Sequence, residues 1–149
     1  MDFVVIVERN SGRELRRVVG GSLANCRLDG AYLRSAALPD ASLMSASLRL
    51  VNLRDADLRR ANLQRADLRR ADLRSALLCG ADLNWAHMVG ADLRDSDLRC
   101  ADLQGADLCE AQLDRARLDD VVYDGFTVWP AGFDPSTLGA RKVSGAIER

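Results

Sequence analysis

The chain's one histidine, His87, lies in the stretch Asn84-Trp85-Ala86-His87-Met88-Val89-Gly90. An imidazole works as a general base when it is positioned beside a nucleophile in a sheltered cavity, and as a metal ligand when further donors join it. Neither setting is written in this sequence. No second histidine exists, and no serine or cysteine is placed beside His87 by the spacing of the chain. The four cysteines, Cys26, Cys79, Cys100 and Cys109, are irregularly spaced and contain no C-x-x-C pair, so they read as free thiols. Aspartates recur at regular intervals (Asp57, Asp67, Asp72, Asp82) and resemble a metal ladder only superficially, falling singly on different faces. No metal, cofactor or enzymatic activity is therefore expected. The chemistry open to such a chain is recognition, through charge and through apolar irregularities such as Trp85.

The elements that would position these residues follow from a strict beat. From Leu23 to Tyr123 a large apolar residue stands at every fifth position, through Leu28, Leu33, Leu38 and onward by way of Met88 to Leu118. Two residues before each stands a small one, as at Ala31, Ala36, Ala56 and Ala66. On an α-helix, five residues advance about 140°, so the leucines would spiral over the whole surface. On a straight strand an odd period sends successive leucines to opposite faces. Only a chain that turns a corner in every unit keeps each Ala-Leu pair inward, and such a chain stacks into a β-solenoid. Cys26 occupies one of the inward small-residue slots and is expected to be buried.

The units Ala56-Asp57-Leu58-Arg59-Arg60, Ala66-Asp67-Leu68-Arg69-Arg70 and Ala101-Asp102-Leu103-Gln104-Gly105 resemble the A-(D/N)-L-x-x consensus of pentapeptide-repeat proteins. The resemblance covers residues 21–125 in one register. It implies an all-β fold, a right-handed quadrilateral β-helix with four units per coil and hence a period of 20 residues. About five coils at the spacing of hydrogen-bonded strands would make a rod about 25 Å long.

Under that implied period, residues 20 apart form ladders. Arg34, Arg54, Arg74 and Arg94 then share one column ended by Asp114, beside a second column of Tyr32, Asn52, Asp72, Asp92 and Gln112. The arginines could track phosphates. A solvated face in which Asp72 and Asp92 neutralise them is the plainer reading, because an aromatic stacking partner stands only at Tyr32. Trp85, His87 and Val89 form a second candidate surface, with Met44 and Leu50 two coils away around the same corner. Cys79 and Cys100 fall on one face in adjacent coils.

Residues 49–74 hold eight arginines against four aspartates, and residues 76–125 hold eleven acids against four arginines, within a net charge of −1. The overall balance predicts no direct nucleic-acid binding and no attraction to membranes. No apolar run is long enough to span a bilayer. Residues 1–8 lack the basic leader and cleavage site of a signal peptide, so a cytoplasmic location is expected.

Both ends change composition where a solenoid needs covering. Residues 1–20 predict a cap, preferably a hairpin formed by residues 3–7, the turn Asn10-Ser11-Gly12 and residues 13–19; a short helix is the alternative. Residues 126–149 predict a C-terminal aromatic cap and tail, in which Tyr123, Phe126, Trp129 and Phe133 cover the last coil and residues after Leu138 are loosely ordered. The stretch from Tyr123 to Pro135 resembles the tail that follows the repeats in bacterial, notably cyanobacterial, members of the family. A homodimer through one end is compatible with this layout. The expected function is a non-enzymatic scaffold for an unidentified protein partner. The alternative, implied by the resemblance, is a DNA mimic that binds DNA gyrase, although the arginine column and the short rod depart from that pattern.

Overall fold

The computed structural model describes residues 2–144. Its body is a parallel ladder in which each second-position residue bridges the residue 20 further on, from Arg27–Ser47 through Asn52–Asp72 and His87–Asp107 to Asp102–Val122. A full turn of the chain is therefore 20 residues, and the four units within it supply four sides.

Each five-residue unit accounts for its own backbone polar groups. Taking Ala66-Asp67-Leu68-Arg69-Arg70, Ala66 N–H closes a turn on Leu63 C=O, at 3.0 Å. Asp67 N–H reaches back one coil to Ala46 C=O, while Leu68 and Arg70 N–H reach forward to His87 and Val89 C=O. The corner is made by the fifth residue, which is left-handed in every unit from Asn25 to Asp120, with φ near +60° whether or not it is glycine. A turn with positive φ only at its third residue is of type II. None of these corners is Val, Ile or Thr, the types for which that conformation is most strained.

The fourth N–H has no backbone acceptor, and the second-position side chain supplies one. Asp57, Asp67, Asp72, Asp92 and Asp97 each accept from the backbone N–H two residues on, as do Asn52 and Asn62. This is why the second position favours Asp or Asn.

The interior is filled. Leu33, Leu53, Leu68, Met88 and Leu108 are completely buried, with the inward alanines from Ala46 to Ala106 nearly so. Ser96 replaces an inward alanine and satisfies its hydroxyl by donating to Leu93 C=O, at 2.6 Å. Among the described residues no helix is long and apolar enough to cross a membrane.

The ends follow different rules. Strands β1 (Phe3–Val7) and β2 (Glu14–Val19) form an antiparallel hairpin, not a helix. Ile6 is buried in the core, and Val4, Leu15 and Val18 pack against it. β1 continues into the first coil, where Ala37 N–H donates to Val7 C=O at 2.7 Å. Cys26, expected to be buried, is only half-buried, because so little chain lies beyond this first coil.

At the other end the repeat register slips by one residue. Asp107 pairs with Val128, 21 residues on, so Val128 turns outward and is 46% exposed. Asp124 absorbs the slip: its Oδ1 accepts from the N–H groups of Gly105, Phe126 and Thr127 at 2.9–3.1 Å. Tyr123 then meets Trp129 edge-on and Trp129 stacks on Phe133, each pair with centroids 5.4 Å apart. Phe126 does not join them. The chain beyond Leu138 is also more ordered than expected. After the short 3-10 helix Pro135–Leu138, β4 (Arg141–Lys142) pairs in parallel with β3 (Val122–Tyr123). The expectation for residues 145–149 lies outside the described residues.

Candidate functional site

The two candidate surfaces lie on adjacent sides. The column Arg34, Arg54, Arg74, Arg94 is real, since the neighbouring residues Tyr32, Asn52, Asp72, Asp92 and Gln112 bridge one another in sequence. Its arginines are engaged with carboxylates. Arg74 and Arg94 each donate twice, through Nε and Nη2, to the aspartate two residues earlier, at 2.6–2.9 Å. Arg34 meets Asp55 at 3.0 Å, and Arg54 approaches the same carboxylate at 3.8 Å. The Asp-Leu-Arg clasp recurs at Asp57–Arg59, Asp67–Arg69 and Asp97–Arg99.

The clasping guanidinium, reinforced by the backbone N–H, holds these aspartates below the usual carboxylate range. The aspartates are not singly placed, as the spacing suggested: Asp72 stacks beneath Asp92 and Asp82 beneath Asp102. Each is occupied by its own donors, and among the described residues no group of three metal-ligating side chains forms.

Trp85, His87 and Val89 spread across a single side, Trp85 and Val89 at its two edges and His87 between them. Trp85 stands at one corner, where its indole lies flat over Gly105; a Cβ at Gly105 would come within 2.4 Å of the ring. Its neighbour is Phe126, centroid to centroid 5.6 Å, the aromatic that left the end cap. Both rings remain about half exposed, Trp85 at 48% and Phe126 at 54%. His87 is exposed in the middle column, between Asp67 and Asp107, and shares a shallow groove with Arg65 and Trp85. Val89 lies at the opposite edge, in an open groove with Leu50, Arg49, Arg69, Arg70 and Asp29. Leu50 therefore belongs with Val89 and not with Trp85, correcting the single corner expected. The four cysteines are free thiols.

Sequence reasoning missed Phe126 as a surface residue, because the five-residue beat gives no sign of the slip at Asp124. It also missed the Asp-Leu-Arg clasp, although the recurring triplet was visible.

A pentapeptide-repeat profile matches the sequence in eight copies, over residues 26–65, 46–84, 56–95 and 86–122. Among solved structures, the chain is similar to alr5209, a pentapeptide repeat protein from Nostoc Pcc 7120, at 32% identity over 80% of this chain and 86% of that one, with a TM-score of 0.45. It is also similar to HetL, a pentapeptide repeat protein involved in heterocyst differentiation regulation from Nostoc sp. Strain PCC 7120, at 30% identity and TM-score 0.49. That match covers 78% of this chain and 57% of HetL. QnrB1, a plasmid-mediated fluoroquinolone resistance protein, aligns at 17% identity over 80% of this chain and 78% of its own, with a TM-score of 0.45. No curated protein matches the sequence.

Proposed function

The chain belongs to the pentapeptide repeat family, and from that premise we propose that it is a non-enzymatic scaffold, docking a protein partner on the side bounded by Trp85 and Val89. The observation that carries this reading is the Trp85–Phe126 pair. Two large rings packed on each other outside a filled core, each half exposed, form an apolar anchor of the kind that dominates protein interfaces. The backbone beneath them is hydrogen-bonded coil to coil, so the anchor is presented on a rigid wall. The arginine column supports the reading from the other direction, because its charges are committed to Asp55, Asp72 and Asp92.

Affinity capture from host lysate, comparing the wild type with Trp85→Ala, Phe126→Ala and Arg54→Glu, tests this assignment. Partner recovery should fall with either aromatic substitution and persist in Arg54→Glu. Equal recovery from all four proteins refutes the aromatic docking surface. A cytoplasmic location belongs to the same proposal, since a reducing compartment keeps four unpaired cysteines as thiols.

One observation favours a second reading, the gyrase-binding DNA mimic. Among the described residues, Asp102, Asp107, Glu110, Asp114 and Asp119 have no ion-pair partner, which leaves the C-terminal half of the rod with uncompensated negative charge. A gyrase supercoiling assay decides it: neither inhibition nor protection at micromolar protein would remove this reading.

A further inference from the structure

Charged residues at the left-handed corners pair along their columns wherever they are neighbours. Arg60 meets Asp40 at 2.8 Å, and Arg115 meets Asp95 at 2.6 Å. One corner column breaks this habit. It runs Gly30, Leu50, Arg70, Gly90, Glu110, and glycine separates the two opposite charges by two coils, about 10 Å. Among the described residues neither Arg70 nor Glu110 has an ion-pair partner. Half-buried Val89 lies on the coil between them, with Leu50, 63% exposed, one coil beyond Arg70.

A surface with Val89 and Gly90 at its centre, a free cation one coil to one side and a free anion one coil to the other, is complementary to itself when turned end for end. We propose that this side of the rod binds a second copy of the chain in antiparallel fashion, about a two-fold axis lying across the coil of His87 and Val89. The inference rests on the reading of this side as a docking surface and names its occupant. Under that symmetry Val89 meets its own counterpart, and Arg70 of each copy faces Glu110 of the other, so each free charge is paired and the dimer holds two such pairs. Asp67 falls opposite Asp107 of the second copy. Arg69, which clasps Asp67 at 2.6 Å, offsets that repulsion.

The area places the contact in a size class. A side about 25 Å long and about 10 Å wide, counted on both copies, removes roughly 500–1,000 Å² from solvent, below the span of tightly held interfaces. An interface of that size falls in the class of weak, transient association, so the dimer is reversible.

Sedimentation equilibrium of the full chain from about 5 to 500 µM tests this directly. The wild type should show a monomer–dimer equilibrium that weakens when NaCl is raised from about 50 to 500 mM. Arg70→Glu and Glu110→Arg should each raise Kd at least tenfold, and the double charge swap should restore it to within about threefold. Arginine and glutamate both already occupy such corners, so these variants keep the fold, and matching circular dichroism melts verify that. A monomer throughout the range, or a double swap as weak as the single variants, overturns the proposal. So does a dimer abolished by Val19→Asp on the exposed outer face of the N-terminal hairpin but untouched by Arg70→Glu, which would place self-association at the rod's end. If the protein is monomeric while Trp85→Ala still loses its captured partner, the docking surface stands and only its occupant is wrong.

Discussion

The contact between Trp85 and Gly105 can be isolated with a pair of substitutions. Gly105 and Gly90 are both corner residues, with φ of +70° and +69°. An added methyl at Gly90 would lie 3.4 Å from Arg70 Cγ, an ordinary contact, whereas at Gly105 it would lie 2.4–2.7 Å from three carbons of the Trp85 ring. Alanine at either position adds about 1 kcal/mol of left-handed strain, offset by about 0.4–1 kcal/mol because the unfolded chain loses freedom. Gly90→Ala should therefore cost between about zero and 1 kcal/mol.

Gly105→Ala must in addition lift the indole off the corner. That forfeits the Trp85–Phe126 pairing, about 0.5–1.5 kcal/mol, together with part of the ring's remaining burial. At about 25 cal/mol per Å², some 50 Å² of re-exposed ring adds about 1 kcal/mol. The difference between the two variants should thus be about 1–3 kcal/mol. Urea unfolding followed by circular dichroism measures it, and a red shift in tryptophan emission reports the displaced ring. In a Trp85→Ala background the excess cost of Gly105→Ala should vanish. Equal midpoints for Gly90→Ala and Gly105→Ala in the wild-type background, with unchanged emission, would refute the packing of Trp85 on Gly105.

Leu68→Asp puts an unpaired carboxylate into a completely buried slot and should abolish folding, read as loss of soluble protein or of a cooperative melt. Arg65→Val forces a β-branched residue to φ +56° and should cost about 1–2 kcal/mol, while Cys109→Val, in the same column and at the same repeat position as Val89, keeps an ordinary backbone and should change the melting midpoint little. Asp92→Asn keeps an acceptor for the Arg94 N–H and loses the charged clasp, for a loss of about 0–1 kcal/mol at pH 7. Because the folded-state pKa of Asp92 is depressed, that contribution is present above the unfolded value near 3.9 and disappears as pH falls through the folded value, so wild-type and variant denaturation midpoints should converge below about pH 4.

Most of the wall was legible in the sequence because it is fixed by local rules repeated without interruption. Leu68 is inward for the same reason as Leu48 one coil before it and Met88 one coil after it, and one unit read correctly gives them all. The ends were less legible because they are single events. The Asx geometry of Asp124 replaces a backbone acceptor for Gly105 N–H and inserts one residue, and nothing in the five-residue beat distinguishes Asp124 from the other fourth-position residues. That one slip moves Val128 outward, brings Trp129 edge-on against Tyr123 and sends Phe126 across to Trp85. A large residue at every fifth position would have placed Val128 inward instead.

The corner positions are where this fold leaves sequence free. First and third residues are fixed by packing, and second residues are largely claimed by the orphan N–H of the fourth. Corners accept any residue that tolerates positive φ, so their chemistry reports constraints other than folding. Two of the four corner columns answer charge with charge, at Asp40–Arg60 and Asp95–Arg115. The other two do not: one stacks Trp85 between Arg65 and Gly105, and the other spaces Arg70 from Glu110 across Gly90. Those two columns border the same side of the rod, the side that carries His87 and Val89. Internal stability accounts for the compensated corners and for Trp85, which packs on Gly105 and Phe126, and leaves only the separated Arg70 and Glu110 without an internal role; a second surface laid against this side would pair them.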